Sequence, residues 1–373
     1  VSTPLRPSYG GLFTTSKCYL SEKNMHHFKG LIGKLSSSAS KDSRLKEEQY
    51  LKNGSAVLEE FIALCDGKCR IPLRYFSAIE IEEATKDKNI VIFTGSGYMV
   101  KGILEKRRVL VRFTNDSTNR NSRDICRDIA VTSQMSHLNN VLKLIGCCLE
   151  YAKPVMVYEY MKEAITLSHL LARNSSVPWG SRLRIANEIA SAIVFLHSEF
   201  TTPIIFRDLH SQKVLIDQSS GVAKLFDFSF SVSLPPGELE VESQDGVCGT
   251  WGNLDPEYIR SAIVTQKTDV YGFGDVLVQL LTGKRVSYMN DGVIVYLQPN
   301  YLTFNTEECN VIDITDPSIL AEERGIHEIR QQLEDFFDLV KRCIASKADD
   351  RPYMIYVARE LRRIEKCFLA LST

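Results

Sequence analysis

The chain has 373 residues, enough for about two ordinary domains or one large bilobal one. Hydrophobic residues make up 44% and charged residues 24%, and Lys+Arg 45 against Asp+Glu 46 leave a net charge of −1, so no bulk field favours nucleic acid or an anionic membrane. The longest apolar candidate, around Val276 to Leu281, is bounded by Asp275 and Lys284 and falls well short of the roughly 18–20 residues of a membrane span.

Residues 1–45 read as a tail. Ser36, Ser37, Ser38 and Ser40 cluster there, and Glu22 is the only acid before Asp42. So little periodic apolar content does not offset the entropy of ordering, and the scarcity of acids also fits an organelle transit peptide. Periodic structure begins near Glu47, and residues 46–76 read as a helical leader. Within it Leu58, Phe61, Ile62 and Cys65 fall on one face of a short helix. Ser77 and Glu80 then form a capping box for a second helix. Short β-branched and aromatic runs follow at Val91–Phe93, Tyr98–Leu104 and Val109–Phe113, and they read as an antiparallel meander. A helix over Ser122–Met135 and strands at Leu142–Leu149 and Val155–Tyr160 complete a small β-rich lobe over residues 77–161.

Beyond Met161 the chain turns helical. Ile185, Ile189, Ala192 and Leu196, beside Ala186, Ala190 and Ile193, give one long helix a wide apolar face. Strands at Val214–Ile216 and Val222–Phe226, a long loop to about Glu257, and helices at Val270–Leu281, Ile329–Ile344 and Pro352–Leu369 fill residues 162–373. The fold class is therefore α+β, with a small β-rich lobe followed by a larger helical one, the order of a bilobal phosphoryl-transfer fold. The ten cysteines, including adjacent Cys147 and Cys148 and the close pair Cys65 and Cys69, match neither a zinc array nor a disulfide framework. They read as free thiols in a reducing compartment.

Six motifs carry the chemistry: Phe206-Arg207-Asp208-Leu209-His210, Asp227-Phe228-Ser229, Gly249-Thr250, Asp255-Pro256-Glu257-Tyr258, Asp269-Val270-Tyr271-Gly272-Phe273-Gly274 and Asp350-Arg351-Pro352. Their order and spacing resemble the eukaryotic protein kinase signatures, over about residues 77–370. The runs Gly146–Glu150 and Leu254–Tyr258 are similar to plant receptor-like kinases of the wall-associated type. Upstream, Tyr50-Leu51-Lys52-Asn53-Gly54-Ser55, Cys65-Asp66-Gly67-Lys68 and Ile71-Pro72-Leu73-Arg74-Tyr75-Phe76-Ser77 resemble the leader of the ZRK-type plant receptor-like cytoplasmic pseudokinases. That resemblance implies an adaptor in plant innate immunity, lacking an ectodomain. Its partners would be an intracellular NLR immune receptor and receptor-like cytoplasmic kinases modified by a pathogen effector. It also implies a cytoplasmic protein that reaches the plasma membrane only through those partners.

The kinase resemblance implies ATP as cofactor and a set of parts that can be checked one by one: a Gly-rich loop, a strand Lys paired with a helix Glu, a catalytic Asp, and two groups for Mg²⁺. Aligned back from Lys101-Gly102, the loop has Ile92 and Thr94 at its first two glycine positions and only Gly97 at the third. Branched side chains there obstruct the approach of backbone N–H groups to phosphate. Gly95 compensates in part, or the segment is an ordinary hairpin turn. Arg112 takes the strand Lys position and Asp128 the helix Glu position. A longer cation and a shorter acid preserve the span, so a structural ion pair is expected, although a planar fork replaces the point charge that positions phosphate. The alternative is two unrelated surface charges.

In the catalytic loop Asp208 occupies the base position, after Arg207, and His210 stands where Lys is usual. Lys213 stands at the Asn position that would ligate Mg²⁺, where an ammonium has no lone pair to donate and repels a divalent cation. Lys213 therefore argues against Mg²⁺ and instead pairs with phosphate or with Asp227, the remaining metal ligand. Gly97, Arg112, Asp128 and the hinge residues Glu159 and Met161 form the residual nucleotide-binding set. Glu257 and Arg351 match the pair that ties the activation segment to the large lobe, and Asp269 matches the support of the catalytic loop. Trp251 and Tyr258 read as packing residues, and the segment before them as a solvated stretch carrying candidate modification sites at Ser229, Ser231, Ser233, Ser243 and Thr250. Each lost electrostatic group typically costs about 10²–10³ in rate, without strict additivity. Three readings stand: a pseudokinase adaptor, a weakly active Ser/Thr protein kinase using Asp208 and Asp227, and an ATP-binding switch without phosphotransfer.

Overall fold

The computed structural model describes residues 41–65, 73–87, 89–116, 120–173, 177–284, 287–290, 293–296, 310–322 and 325–370. Contacts divide the chain into Val1–Leu45 and Lys46–Thr373, and the second unit holds both lobes. Residues 1–40 of the tail expected over 1–45, the leader residues 66–72 and with them Cys69 lie outside the described residues.

The leader helix α1 (Lys41–Cys65) is longer than the short helix expected and begins inside the stretch read as tail. Its buried face also differs from the one the apolar spacing indicated. Leu58 and Ile62 are 50% and 55% exposed, whereas Asn53, Val57, Glu60 and Leu64 are buried. The spacing i, i+4, i+7, i+11 is still helical, but half of that stripe is polar, so an apolar-periodicity reading passes over it. Asn53 Nδ2 donates to the carbonyls of Leu149 and Tyr151, both at 2.9 Å. Its Oδ1 accepts from Ser122 Oγ. Glu60 accepts from Arg127 Nε at 3.3 Å, and Val57 packs among Ile125, Cys126 and Ile129.

Strands β1 (Arg74–Tyr75), β2 (Ile90–Thr94), β3 (Gly97–Leu104), β4 (Arg107–Thr114), β5 (Leu144–Cys148) and β6 (Val155–Glu159) form one sheet in the order β1-β5-β6-β4-β3-β2. The β2–β3–β4 meander is antiparallel, with Met99 opposite Arg112, and β1 joins the far edge parallel to β5. Helix α2 (Ala78–Ala84) starts at the Ser77–Glu80 capping box. Helix α3 (Ser122–Met135) starts at a second box, in which Asn121 caps and Asp124 reaches back. The apolar residues of α3 lie against the sheet and α1, holding its Asp128 toward β4.

The helical lobe opens with β7 (Ala164–Thr166), α4 (Leu167–Ala172) and α5 (Trp179–Ser198), whose apolar face is buried as the sequence spacing requires. After β8 (Ile204–Ile205) the catalytic loop makes one tight turn at Ser211–Lys213 and enters β9 (Val214–Asp217), which pairs with β7 and β10 (Ala223–Leu225). The stretch read as a solvated loop is tied down by β11 (Val232–Ser233) pairing with β8 and by β12 (Glu240–Glu242) pairing with β13 (Ile263–Thr265), beyond α6 (Pro256–Ser261). Helix α7 (Gln266–Thr282) runs through the core and ends at Gly283, whose φ of 66° supplies a left-handed cap. Helices α8 (Gly325–Cys343) and α9 (Met354–Ala370) pack around α7 and α5. Cys126, Cys147, Cys148 and Cys343 are buried free thiols. Among the described residues no helix is long and apolar enough to cross a membrane.

The two faces of α1 separate in a stability measurement. Asn53→Ala removes the donor to one buried and one part-buried carbonyl and should cost about 1–3 kcal/mol in urea unfolding. Leu58→Gln, on the outward face, should change stability by less than about 0.5 kcal/mol.

Candidate functional site

The catalytic loop hangs from one buried carboxylate. Asp269, in the first turn of α7, accepts from the backbone N–H of Phe206 and of Arg207, each at 2.8 Å, and its Oδ2 lies 2.8 Å from His197 Nε2. These bonds hold Arg207 at φ 70°, a conformation a side chain of that size adopts only under constraint. Phe206, two residues before Asp208, meets Phe228 edge-on at 5.1 Å between ring centres. Arg207 Nη1 donates to Ser243 Oγ at 3.1 Å.

Asp208 is buried and engaged at both oxygens. Its Oδ2 is 2.7 Å from Lys213 Nζ, and its Oδ1 accepts from Thr250 N at 2.6 Å. Thr250 Oγ1 adds a bond at 3.2 Å, and His210 Nε2 stands 3.8 Å away. Gly249 makes this approach feasible: its φ is 135°, and a Cβ there would lie 3.1 Å from Asp208 Oδ1. Burial by itself would raise the Asp208 carboxyl, but Lys213 and His210 outweigh it and hold the group far below the usual carboxylate range.

Asp227, at φ 67°, is the second carboxylate of the site. Arg112 Nη2 lies 2.9 Å from its Oδ1, and Arg120 Nη1 also contacts Oδ1. Lys213 Nζ stands 3.6 Å from Oδ2 and donates to the Asp227 carbonyl at 3.2 Å. Ser229 Oγ donates to Oδ1 at 2.7 Å, and Ser96 Oγ reaches Oδ2 at 3.4 Å. Burial opposes ionisation here too, yet Arg112, Arg120 and Lys213 together depress this carboxyl well below its ordinary value. The expected pairing of Lys213 with Asp227 is thus present, with the shorter contact going to Asp208.

The β4–α3 ion pair is buried. Arg112 Nη1 is 2.7 Å from Asp128 Oδ2, while Asp128 Oδ1 accepts from Phe228 N at 3.0 Å and Thr132 Oγ1 at 2.8 Å. Burial raises the Asp128 carboxyl, opposed by Arg112 and reinforced by the nearby Asp227. Gly97 is required by its neighbour strand, since a Cβ there would lie 2.0 Å from the Phe113 carbonyl oxygen. Glu159 turns its carboxylate outward, to Lys143 N at 3.1 Å and Lys224 Nζ at 2.9 Å. Met161 is buried in the same apolar cluster as Ile92, Met99, Leu215 and Phe226.

Mg²⁺ requires oxygen ligands with open lone pairs in octahedral array. Both Asp227 oxygens face cations or hydroxyls, and the other ligand position presents the Lys213 ammonium. The residues present do not fit a divalent metal.

Three expectations are corrected. Glu257 and Arg351 do not pair with each other. Arg351 Nη1 and Nη2 hold Asp255 in a bidentate bridge at 2.6 and 2.8 Å, while Glu257 accepts from Ala348 N at 2.6 Å. Asp255 sits at the N-cap of α6 and points inward, and Glu257, two residues later, reaches the loop before Arg351. Trp251 does not pack, being 60% exposed, although Tyr258 is buried and its hydroxyl accepts from Cys248 N at 2.8 Å. Ser229 and Ser231 are buried and hydrogen-bonded, which removes them from the accessible modification sites. Arg120, Ser96, Asp255 and His197 escaped sequence reasoning as site residues. Of these only Asp255, inside a kinase-like motif, carried a signal.

Residues 92–361 match the family model for protein tyrosine and serine/threonine kinases, a family that uses ATP and Mg²⁺ in general. The chain is 36% identical to the non-functional pseudokinase ZED1 of Arabidopsis thaliana, over 88% of this chain and 99% of that protein. It is 35% identical to the serine/threonine-protein kinase ZRK1 of the same plant, over 89% and 96% respectively. It is 34% identical to the inactive serine/threonine-protein kinase ZRK12, also of Arabidopsis thaliana, over 88% and 82%.

Two measurements probe the site. Arg112→Lys and Asp128→Glu should each cost about 2–4 kcal/mol as single changes. The double variant should recover about 1–3 kcal/mol through restored span, read as a coupling energy in a double-mutant cycle. Below the catalytic loop, Ser211 Oγ donates to Gln279 Oε1 at 2.8 Å and Gln279 Nε2 to Asp275 Oδ2 at 2.9 Å. Burial, against that one hydrogen bond, lifts the Asp275 carboxyl from 3.8 to about 7. An acid with a raised folded pKa favours the fold when protonated, so its contribution is full below pH 3.8 and is lost as pH rises to about 7. Asp275→Asn should therefore gain stability over the wild type across that window, by on the order of 4 kcal/mol at its upper end.

Proposed function

Since the chain belongs to the protein kinase family, within the group of ZED1- and ZRK-like proteins, we propose that it works as a docking platform rather than as a phosphotransferase. One observation carries the reading. Both oxygens of Asp208, which stands at the base position, are already engaged, Oδ2 by Lys213 and Thr250 Oγ1 and Oδ1 by Thr250 N. A general base must lie within hydrogen-bond reach of the proton it removes and be free to accept it. An ion-paired carboxylate with a depressed pKa is a poor base as well as an occupied one.

The partners are those the leader and kinase motifs suggest: an intracellular NLR immune receptor on one face and effector-modified receptor-like cytoplasmic kinases on another, in plant innate immunity. What supports this is similarity over nearly the whole chain to proteins named as pseudokinases. Exposed Trp251 and Leu239, beside the tied activation segment, offer apolar contact area of the kind that docking uses. Under this reading the protein is cytoplasmic and reaches the plasma membrane through its partners.

A second reading, slow Ser/Thr kinase activity, is favoured by the relative named as a serine/threonine-protein kinase and by the presence of Asp208 and Asp227. Radiolabelled phosphotransfer separates the two. Wild type and Asp208→Ala should give the same background, and a wild-type signal abolished by that substitution would establish the kinase. Co-purification with NLR leucine-rich-repeat regions tests the docking role, and failure to retain any would remove it.

A further inference from the structure

Arg120 lies in the connection between β4 and α3, ahead of the Asn121 cap. It is nevertheless buried, 7% exposed. Its Nη1 contacts both Asp227 Oδ1 and Ser229 Oγ, and its guanidinium lies 4.5 Å from the centre of the Phe230 ring. With Arg112 and Lys213 it makes three buried cations facing three buried carboxylates, Asp128, Asp208 and Asp227. The set is neutral without any outside ion. Removing Arg120 leaves one negative charge uncompensated in a water-poor site.

The hairpin between β2 and β3 closes on the same point. Ser96 at its tip is buried, accepts from Arg112 Nη2 at 3.2 Å and reaches Asp227 Oδ2 at 3.4 Å. A Cβ on Gly95 would lie 3.9 Å from Gln212 Oε1 of the catalytic loop, so hairpin and loop are in near contact. Behind them Ile92, Met99, Met161, Leu215 and Phe226, contributed by both lobes, are buried in one apolar cluster. The space between hairpin and catalytic loop is taken up by the chain's own groups at its polar end and at its apolar end.

We propose that Arg120 is a resident counter-cation that takes the place of a divalent metal against Asp227 and, with Ser96, fastens the cleft shut without nucleotide. A guanidinium suits the role because it is always charged, its Nη1 serves the carboxylate and the Ser229 hydroxyl together, and its plane packs on an aromatic ring. The closed arrangement of the lobes is then constitutive. It does not depend on the docking reading: nucleotide binding by the wild type would overturn the lock and leave docking untouched.

Thermal unfolding of the full chain tests this with Mn²⁺ alone, Mg²⁺ alone and Mg²⁺ with ATP, alongside titration with a fluorescent ATP analogue. The wild type and Arg120→Lys, which keeps the cation, should show neither a shift nor saturable binding at millimolar ligand. The double variant R120A/K213N restores an amide at the ligand position and leaves Arg112 as the remaining cation on Asp227, and Mn²⁺ should raise its Tm by about 2 °C or more. Saturable nucleotide binding by the wild type, or a folded double variant indifferent to Mn²⁺, would overturn the proposal. Should the double variant fail to fold, the wild-type titration decides alone, absence of binding supporting the lock and saturation refuting it.

Discussion

The ammonium of Lys213, 2.7 Å from Asp208 and 3.6 Å from Asp227, is the contact on which the rest of the site depends. A kinase holds its base and its metal carboxylate apart so that one can receive a proton and the other a cation. Here a single side chain reaches both, pairing with Asp208 and joining Arg112 and Arg120 around Asp227. Two carboxylates buried this closely would repel strongly without a cation between them, and the chain supplies that cation covalently. Ion-pairing of this kind is weak evidence for net stability, because desolvation offsets much of the Coulomb gain. Its effect is on what the site can do: a carboxylate already paired neither takes a proton readily nor coordinates a metal.

The surrounding architecture keeps this arrangement in place. Asp269 fixes the catalytic loop from the core helix α7, and its bonds hold Arg207 in a backbone conformation it would not otherwise keep. From the other side, the leader helix α1 grips α3 through Asn53, Val57 and Glu60, which holds Asp128 against Arg112. The leader thus supports a pair that in other members of the family is brought together as part of activation. Arg351 and Asp255 do the same for the activation segment, with a bidentate bridge buried on both sides. The molecule retains the devices that shape a kinase while the atoms that would react are engaged with each other.

Much of this was legible in the amino-acid order. The β2–β3–β4 meander, the Ser77–Glu80 capping box, α3 and the long apolar face of α5 follow from period, branching and cap chemistry, and these are local signals. The substitutions at Lys213, Arg112 and Asp128 were also visible, because kinase motifs fix which residue faces which. What stayed hidden has a common character. The buried stripe of α1 is half polar, so hydrophobic spacing pointed to Leu58 and Ile62, which face outward. Arg120 sits in a connection with no motif around it, and its partner Asp227 is distant in sequence. Ser96 looks like an ordinary turn residue between two glycines. Arg351 chose Asp255 over Glu257 because an N-cap carboxylate turned inward is nearer than the residue the motif names.

The sequence alone therefore determined the fold, the family and the placement of the Lys213 cation at a metal-ligand position, since each rests on short-range patterns or on residue identity at motif positions. The tertiary structure decided which other groups surround Asp227. Charge balance in a buried space is a property of whichever groups arrive there, and chain order does not reveal that a guanidinium from one loop and a hydroxyl from a hairpin meet at a carboxylate more than a hundred residues further along.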